Sequence, residues 1–416
     1  MAFNFKIYYL KLWKRYRKRS EKMNYYERAV ELKNETIAHR RFFHKNAETG
    51  LDMPKAVEYV MDELGKIGIN AQKCGKGVTA TIGKGERCIL LRADMDALPM
   101  KEESGLDFAS QNNAHTCGHD FHAAMLLTAA KLLKEDENTL NGCIKLMFQP
   151  AEETLEGARN MIENGILTDP KPHAALALHV AAGRMPTGIY MYNDTGTMMF
   201  SVDGFKIKVH GKGAHGAYPH FSVDPVNIAV HIYLALEALV AREIDPHKAC
   251  AITVGSFNAG SAANIIPETA EISGTIRTND RESRHILVRR MKEIAIKTAE
   301  AYGGDADIEM ISEIPPLICN GDLVRELASY IDELDFPNKT AHKGIEASAS
   351  EDFAIIAEKI PSAYFYLSAG FEDERGEHSA HNPKVMFNED VLPIGAAIYA
   401  HLAEKWLEEG ELGLPD

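Results

Sequence analysis

Four places in this 416-residue chain carry side chains that could act together on a metal ion. In Thr116-Cys117-Gly118-His119-Asp120-Phe121-His122 a thiolate and an imidazole stand two residues apart. Such a pair can hold metal if further ligands arrive from elsewhere. Glu152-Glu153 follow an apolar run ending at Pro150, His179 closes Ala174-Ala175-Leu176-Ala177-Leu178, and His381 lies in His378-Ser379-Ala380-His381-Asn382-Pro383. Three of these groups follow strand-like segments, and open α/β sheets place their ligands at the carboxyl ends of strands. Each has a plainer reading when taken alone. A Cys-x-His pair is more often structural than a ligand, and adjacent carboxylates favour the start of a helix.

The neighbouring charges sharpen the metal reading. Side chains of adjacent residues on a strand or turn diverge, so one of Glu152 and Glu153 can bind metal while the other faces the attacking water. A metal lowers the pKa of such a water towards 7, and a nearby carboxylate can take its proton. Asp94 and Asp96 follow a buried strand, where a carboxylate is costly unless paired. They are either loop caps or partners that orient a ligand histidine. Gly211-Lys212-Gly213-Ala214-His215-Gly216 is glycine-rich but lacks the spacing of a nucleotide loop. His215 is either a surface turn residue or a group that reaches into a cleft. Asn264 and Arg277 carry no local signal, and His122, His173 and His378 read as structural.

Composition is that of a globular protein, with 45% hydrophobic and 25% charged residues. The net charge of −14 argues against nucleic-acid binding, which needs a positive surface. Six scattered cysteines imply reduced thiols and a cytoplasmic setting. No run of 18 apolar residues occurs, so no membrane span is expected. Residues 1–22 stand apart, with eight Lys/Arg and one acid for a charge of +7. They read as a basic amphipathic segment for an anionic membrane surface, or as a leader preceding a true start at Met23.

These groups must be positioned by an alternating frame. Helices are predicted over 27–44 and 53–67, the latter with Pro54 in its first turn. Strands follow at 78–82 and 88–92, then a helix over 122–134, a strand at 143–149, a helix over 156–164 and a strand at 174–179. That alternation predicts an α/β fold, a mostly parallel sheet sandwiched by helices. Near 198 the pattern changes to strands at 205–209, 250–257, 271–278 and 305–311, with helices over 225–242 and 282–302. This predicts a smaller α+β domain inserted into the first. The expected catalytic domain is 24–197 plus 312–416, the insert 198–311, and 1–23 an extension. The α/β character returns with helices at 323–334 and after Ser350-Glu351-Asp352, a strand at 363–368 and a closing helix over 391–407.

Eight segments occur in an order that resembles one family: RADMDALP (92–99), HTCGHDFH (115–122), QPAEE (149–153), ALHV (177–180), GKGAHGAYPHFSVDP (211–225), NIIPETAEISGTIRT (264–278), ASEDFA (349–354) and HNP (381–383). Together they are similar to the aminoacylase/carboxypeptidase family of two-metal hydrolases. The matching branch is the amidohydrolases, represented by bacterial hippurate hydrolases and plant auxin–amino acid conjugate hydrolases. The resemblance covers about residues 24–407. It implies a catalytic domain with a lid or dimerisation domain, and a homodimer or dimer-based assembly. It also implies two divalent ions, zinc or manganese, with cobalt or nickel as substitutes. Cys117, His119, Glu153, His179 and His381 match the metal ligands, and Cys117 stands where relatives outside the branch carry a bridging aspartate. Glu152 matches the general base, Asp96 the aspartate behind a ligand histidine, and His215 the lid histidine that reaches the substrate, often from the neighbouring subunit. Asn264 and Arg277 match lid positions that hold the substrate carboxylate. The implied reaction is hydrolysis of N-acyl amino acids. A dipeptidase or carboxypeptidase on the same scaffold is the alternative. A metal-stabilised binding protein would not need Glu152, and a thiol hydrolase would leave Glu153, His179 and His381 without a task.

Overall fold

The apolar runs around residues 90, 146, 177 and 365 are too continuous for strands that face water, so they must lie inside a sheet covered on both sides. The computed structural model, which describes residues 23–410, places them at the centre of an eight-stranded sheet. In spatial order its strands are Ala71–Cys74, Gly77–Lys84, Gly142–Gln149, Cys88–Asp94, Ala174–Ala181, Ser362–Ser368, Ile189–Tyr192 and Thr340–Lys343. The four central strands are mutually parallel. Gly77–Lys84 and Ile189–Tyr192 run antiparallel to that core on either side. The expected mostly parallel sheet is therefore present, with two reversed flanks, the predicted strand Gly77–Lys84 and the four-residue Ile189–Tyr192, which the sequence pattern did not announce.

One face is covered by helices Lys33–Lys45, His119–Glu135 and Leu392–Glu409, around a core that includes Phe121, Leu126, Tyr399 and Trp406. The other carries Leu90, Met147, Met161, Phe353 and Tyr364. The predicted helix over 27–44 is two helices, Tyr25–Glu31 and Lys33–Lys45, broken at Leu32. The helix expected from 122 begins at His119.

Between Met199 and Leu317 the chain builds a second sheet, ordered Cys250–Ala259, Thr269–Thr278, Val202–His210, Asp305–Ile314, with every neighbour antiparallel. Helices Pro225–Glu243 and Arg281–Ala301 share a separate core with it, including Phe205, Ile232, Leu236 and Met291. Pro225–Glu243 is long and apolar enough to cross a membrane by length and composition. Its Ile228, Ile232, Leu236 and Leu239 are instead buried in this core. Residues 1–22, with their basic segment, lie outside the described residues.

Candidate metal centre

Strand ends and one helix start bring the chemistry together. Gly118 adopts a left-handed φ of 92° and caps the helix His119–Glu135. A Cβ at Gly118 would run into Val180 Cγ2, so this turn requires glycine. The turn leaves Cys117 just outside the helix and His119 on its first residue. Gly142–Gln149 ends at Glu152-Glu153, flanked by Ala151 (φ 54°) and Leu155 (φ 62°). His381 also has a left-handed backbone, at φ 64°, and its N–H donates to Thr116 O at 2.9 Å. Backbone of this kind costs a non-glycine residue roughly 1–2 kcal/mol, and such strain concentrates at functional sites.

Two triads share Cys117. Ligand atoms of Cys117, His119 and His179 lie within 4.8 Å of one another, as do those of Cys117, Glu153 and His381. Cys117 Sγ is 3.5 Å from His179 Nε2 and 3.3 Å from His381 Nε2. His381 Nε2 is 3.3 Å from Glu153 Oε1. Glu152 is 7% exposed, its Oε2 4.0 Å from His119 Nε2. Asp96 does two jobs: Oδ1 faces His119 Nδ1 at 3.2 Å, and Oδ2 accepts the Glu153 N–H at 3.0 Å. His179 Nδ1–H donates to Val180 O at 2.8 Å, which turns Nε2 towards the cluster.

Whether this set suits a cation can be tested on its leftover atoms. His119 Nε2 and Glu153 Oε1 are buried without a hydrogen-bond partner. Buried polar atoms are rarely abandoned. Both point at the same small volume, together with a thiol and two further imidazoles, so the donor set fits divalent ions with a taste for sulfur and nitrogen. The electrostatics agree. Burial pushes the Cys117 thiol up to about 12, against the pull of His119. Burial also opposes charge on His119, but Asp94 and Cys117 outweigh it and hold a proton there. Both protons would be lost to a divalent cation. Burial, with the other histidines, holds His179 well below its usual value, so it stands ready as a neutral donor. Burial and the negative Glu351 and Asp352 push the Glu152 carboxyl well above the carboxylate range.

A buried ion network underlies the cluster, and sequence reasoning passed over most of it. Arg92, 1% exposed, donates to Asp94 (2.6 Å), Glu351 (2.6 Å), Asp352 (3.1 Å) and Gln149 (3.0 Å). Asp94 Oδ1 accepts from His122 Nδ1, whose Nε2 accepts the Val180 N–H at 2.8 Å. His122 thus belongs to the site's support. The available signal was Arg92 and Asp94 on one strand: two charges, two residues apart, share a face and need partners.

The lid residues are placed differently. Arg277 is half-buried, and its guanidinium donates to Ser350 Oγ at 2.5 Å, one residue from Glu351. His215 is exposed, packs on Tyr218 and accepts the Ala217 N–H, and it does not join the cluster. Asn264 is exposed, and its carbonyl accepts the Gly216 N–H at 2.8 Å.

Residues 90–405 match the family described as peptidase family M20/M25/M40. The chain is 37% identical over 380 residues to an IAA-amino acid hydrolase ILR1-like 2 of Arabidopsis thaliana, covering 89% of this chain and 84% of that one. It is 34% identical over 398 residues to the hippurate hydrolase of Campylobacter jejuni, covering 93% and 100%. A dinuclear metal-binding peptidase of Bacillus subtilis superposes with a TM-score of 0.76 at 28% identity, covering 91% and 99%.

Proposed function

This chain belongs to peptidase family M20/M25/M40 and is a metal-dependent hydrolase of small amides, and from that premise we propose that its substrates are N-acyl amino acids, split into a carboxylic acid and an amino acid. The observation that carries the reading is the pair of triads meeting at Cys117 with Glu152 buried beside them. Cys117, His119 and His179 would hold one divalent ion, and Cys117, Glu153 and His381 the other. Such ions supply Lewis acidity that polarises the amide carbonyl and acidifies water.

The chain's own residues do the rest. Glu152 is positioned to take a proton from the attacking water and hand it to the departing nitrogen. Its upward pKa shift favours that return step. Asp96 fixes the His119 tautomer and tethers the Glu153 backbone. Arg277 has free N–H groups for the substrate carboxylate, paired in a fork. Asp96 is engaged with His119, and Glu351 and Asp352 with Arg92, so these acids are not offered to a free α-amine, which disfavours the dipeptidase reading.

We further infer a homodimer. Among the described residues nothing pairs with the outer edge of strand Cys250–Ala259, and Val230 (42% exposed), Leu234 (56%) and Phe257 (39%) stand exposed on it and on the adjacent helix. An uncovered edge of this kind seeks a partner. In a dimer the exposed His215 and Asn264 of one copy would complete the cleft of the other.

The test is hydrolysis of hippurate, N-acetyl, longer N-acyl and indole-acetyl amino acids, and dipeptides, by protein stripped of metal and reloaded with zinc or manganese. Metal-restored release of an amino acid supports the reading. Preference for dipeptides, or no turnover by protein carrying two ions, would overturn it.

A further inference from the structure

Strand register sets four side chains in a row across the carboxyl end of the sheet. Gln149 pairs with Asp94, His179 stands two residues beyond the partner of Arg92, and Tyr366 pairs with His179. The first three are bound into the cluster or its supporting network. Tyr366 is not. Its ring lies 5.3 Å from the His179 ring at 65°, so the phenol flanks the metal centre on the side away from Asp94.

Two further observations single it out. Tyr366 is the one partly exposed residue of Ser362–Ser368, a strand otherwise buried along its whole length. An interior-strand residue that meets solvent does so over a face of the sheet, and Tyr366 does so beside His179. Its hydroxyl has a poor partner, Met199 Sδ at 3.5 Å, and a thioether is a weak acceptor. The neighbouring tyrosines show the contrast: Tyr364 donates to Glu351 at 3.0 Å and Tyr399 to the Arg92 carbonyl at 2.7 Å.

We propose that the Tyr366 hydroxyl touches the substrate and donates a hydrogen bond to the oxygen of the scissile carbonyl as that oxygen gains charge. The inference rests on the amidohydrolase reading above. The chemistry suits a phenol better than its neighbours. The cluster's imidazoles are committed as ligands or to backbone, and Arg277 is committed to the substrate's carboxylate. A phenol titrates at about 10, so it keeps its proton and stays a donor at neutral pH. A fixed donor gains strength only as negative charge develops, so it favours the transition state over the bound substrate.

The test compares Tyr366→Phe with the parent enzyme, both loaded with zinc, on whichever N-acyl amino acid the parent cleaves best. The expected result is a fall in kcat of about 10- to 100-fold with little change in KM and two ions still bound. A phosphinic analogue of that substrate, measured by calorimetry, should lose affinity by a similar factor. Unchanged kcat and analogue binding overturn the proposal and leave the amidohydrolase reading standing. Loss of ions in the variant also overturns it, by showing that the hydroxyl supports the metal centre and not the substrate. A parent that neither turns over nor binds the analogue removes the amidohydrolase reading, and the proposal with it.

Discussion

Glu152 and Glu153 are identical side chains, one peptide bond apart, in opposed surroundings. Glu153 meets His381 and shares a buried volume with His119, while Glu152 faces the negative Glu351 and Asp352. Burial works against the charge on Glu153, but the neighbouring His381 and His119 outweigh it and lower its pKa. These surroundings suit the two carboxylates to the roles proposed above, Glu153 as a ligand and Glu152 as a proton carrier. Glu152→Gln should lower kcat by about 10²–10⁴-fold while retaining both ions, read by steady-state kinetics beside elemental analysis. Cys117→Ala should do the reverse and lose ions first, because both triads contain that sulfur. Equal metal content in the Cys117→Ala variant and the parent would show that the thiolate is not shared. At this scale the sequence was informative because the donor types are rare and stand at strand ends. Arg92, Glu351 and Asp352 were harder to read, since each looks like an ordinary surface charge until the fold buries it.

Single elements set the angles at which those side chains meet. The helix His119–Glu135 starts three residues earlier than its apolar periodicity suggests, because Gly118 in a left-handed turn replaces a capping side chain. Gly118→Ala should therefore destabilise the fold by at least about 1–2 kcal/mol and weaken metal retention together. Calorimetric unfolding of metal-loaded and stripped protein separates the two effects. The segment before this helix is held by a buried cluster. Arg40 and His44 meet Asp120 at 2.7 and 2.8 Å, and His44 meets Glu102 at 2.9 Å. Burial opposes charge on His44, but hydrogen bonds to Asp120 and Glu102 outweigh it and raise its pKa. Burial likewise opposes charge on Glu102, and His44 lowers its pKa in return. The imidazolium's contribution is full below its unfolded value near 6.5 and is lost as pH rises through the raised folded value. That of Glu102 is present above about 4.5 and is lost as pH falls through the lowered one. Glu102→Gln should thus cost about 3–5 kcal/mol at pH 5.5 and distinctly less at pH 9. A penalty that stays constant in urea unfolding at both values would dismiss the pairing. This network was not visible in the sequence, where Glu102 and Asp120 lie far from Arg40 and His44.

For the molecule as a whole, two regions stand apart. The large sheet carries the cluster, while the insert carries Arg277 on its four-stranded sheet and His215 on a separate two-stranded one, beside Asn264. The division was legible because the hydrophobic pattern changes from continuous runs to alternation near residue 198. The short strands Ala71–Cys74, Ile189–Tyr192 and Thr340–Lys343 were not legible, being only four residues long. Leu234→Asp should convert a dimer to a monomer in light scattering, and lower kcat/KM by at least about tenfold with metal content intact. An active monomer would show instead that each chain's own His215 swings in.

The half of the cluster that depends on His381 lies at the rim. The His381 side chain is 53% exposed, against 0% for His119, and it rests on a left-handed backbone fastened to Thr116. The protein therefore has an outer berth and an inner one, and the two ions should leave in sequence. Mixed with a chelator, the holoenzyme should lose metal in a fast phase and a slow phase. His381→Asn should speed only the first. Between the phases stands a one-ion species whose lifetime sets how long the enzyme survives metal starvation and which scarce metal refills it first.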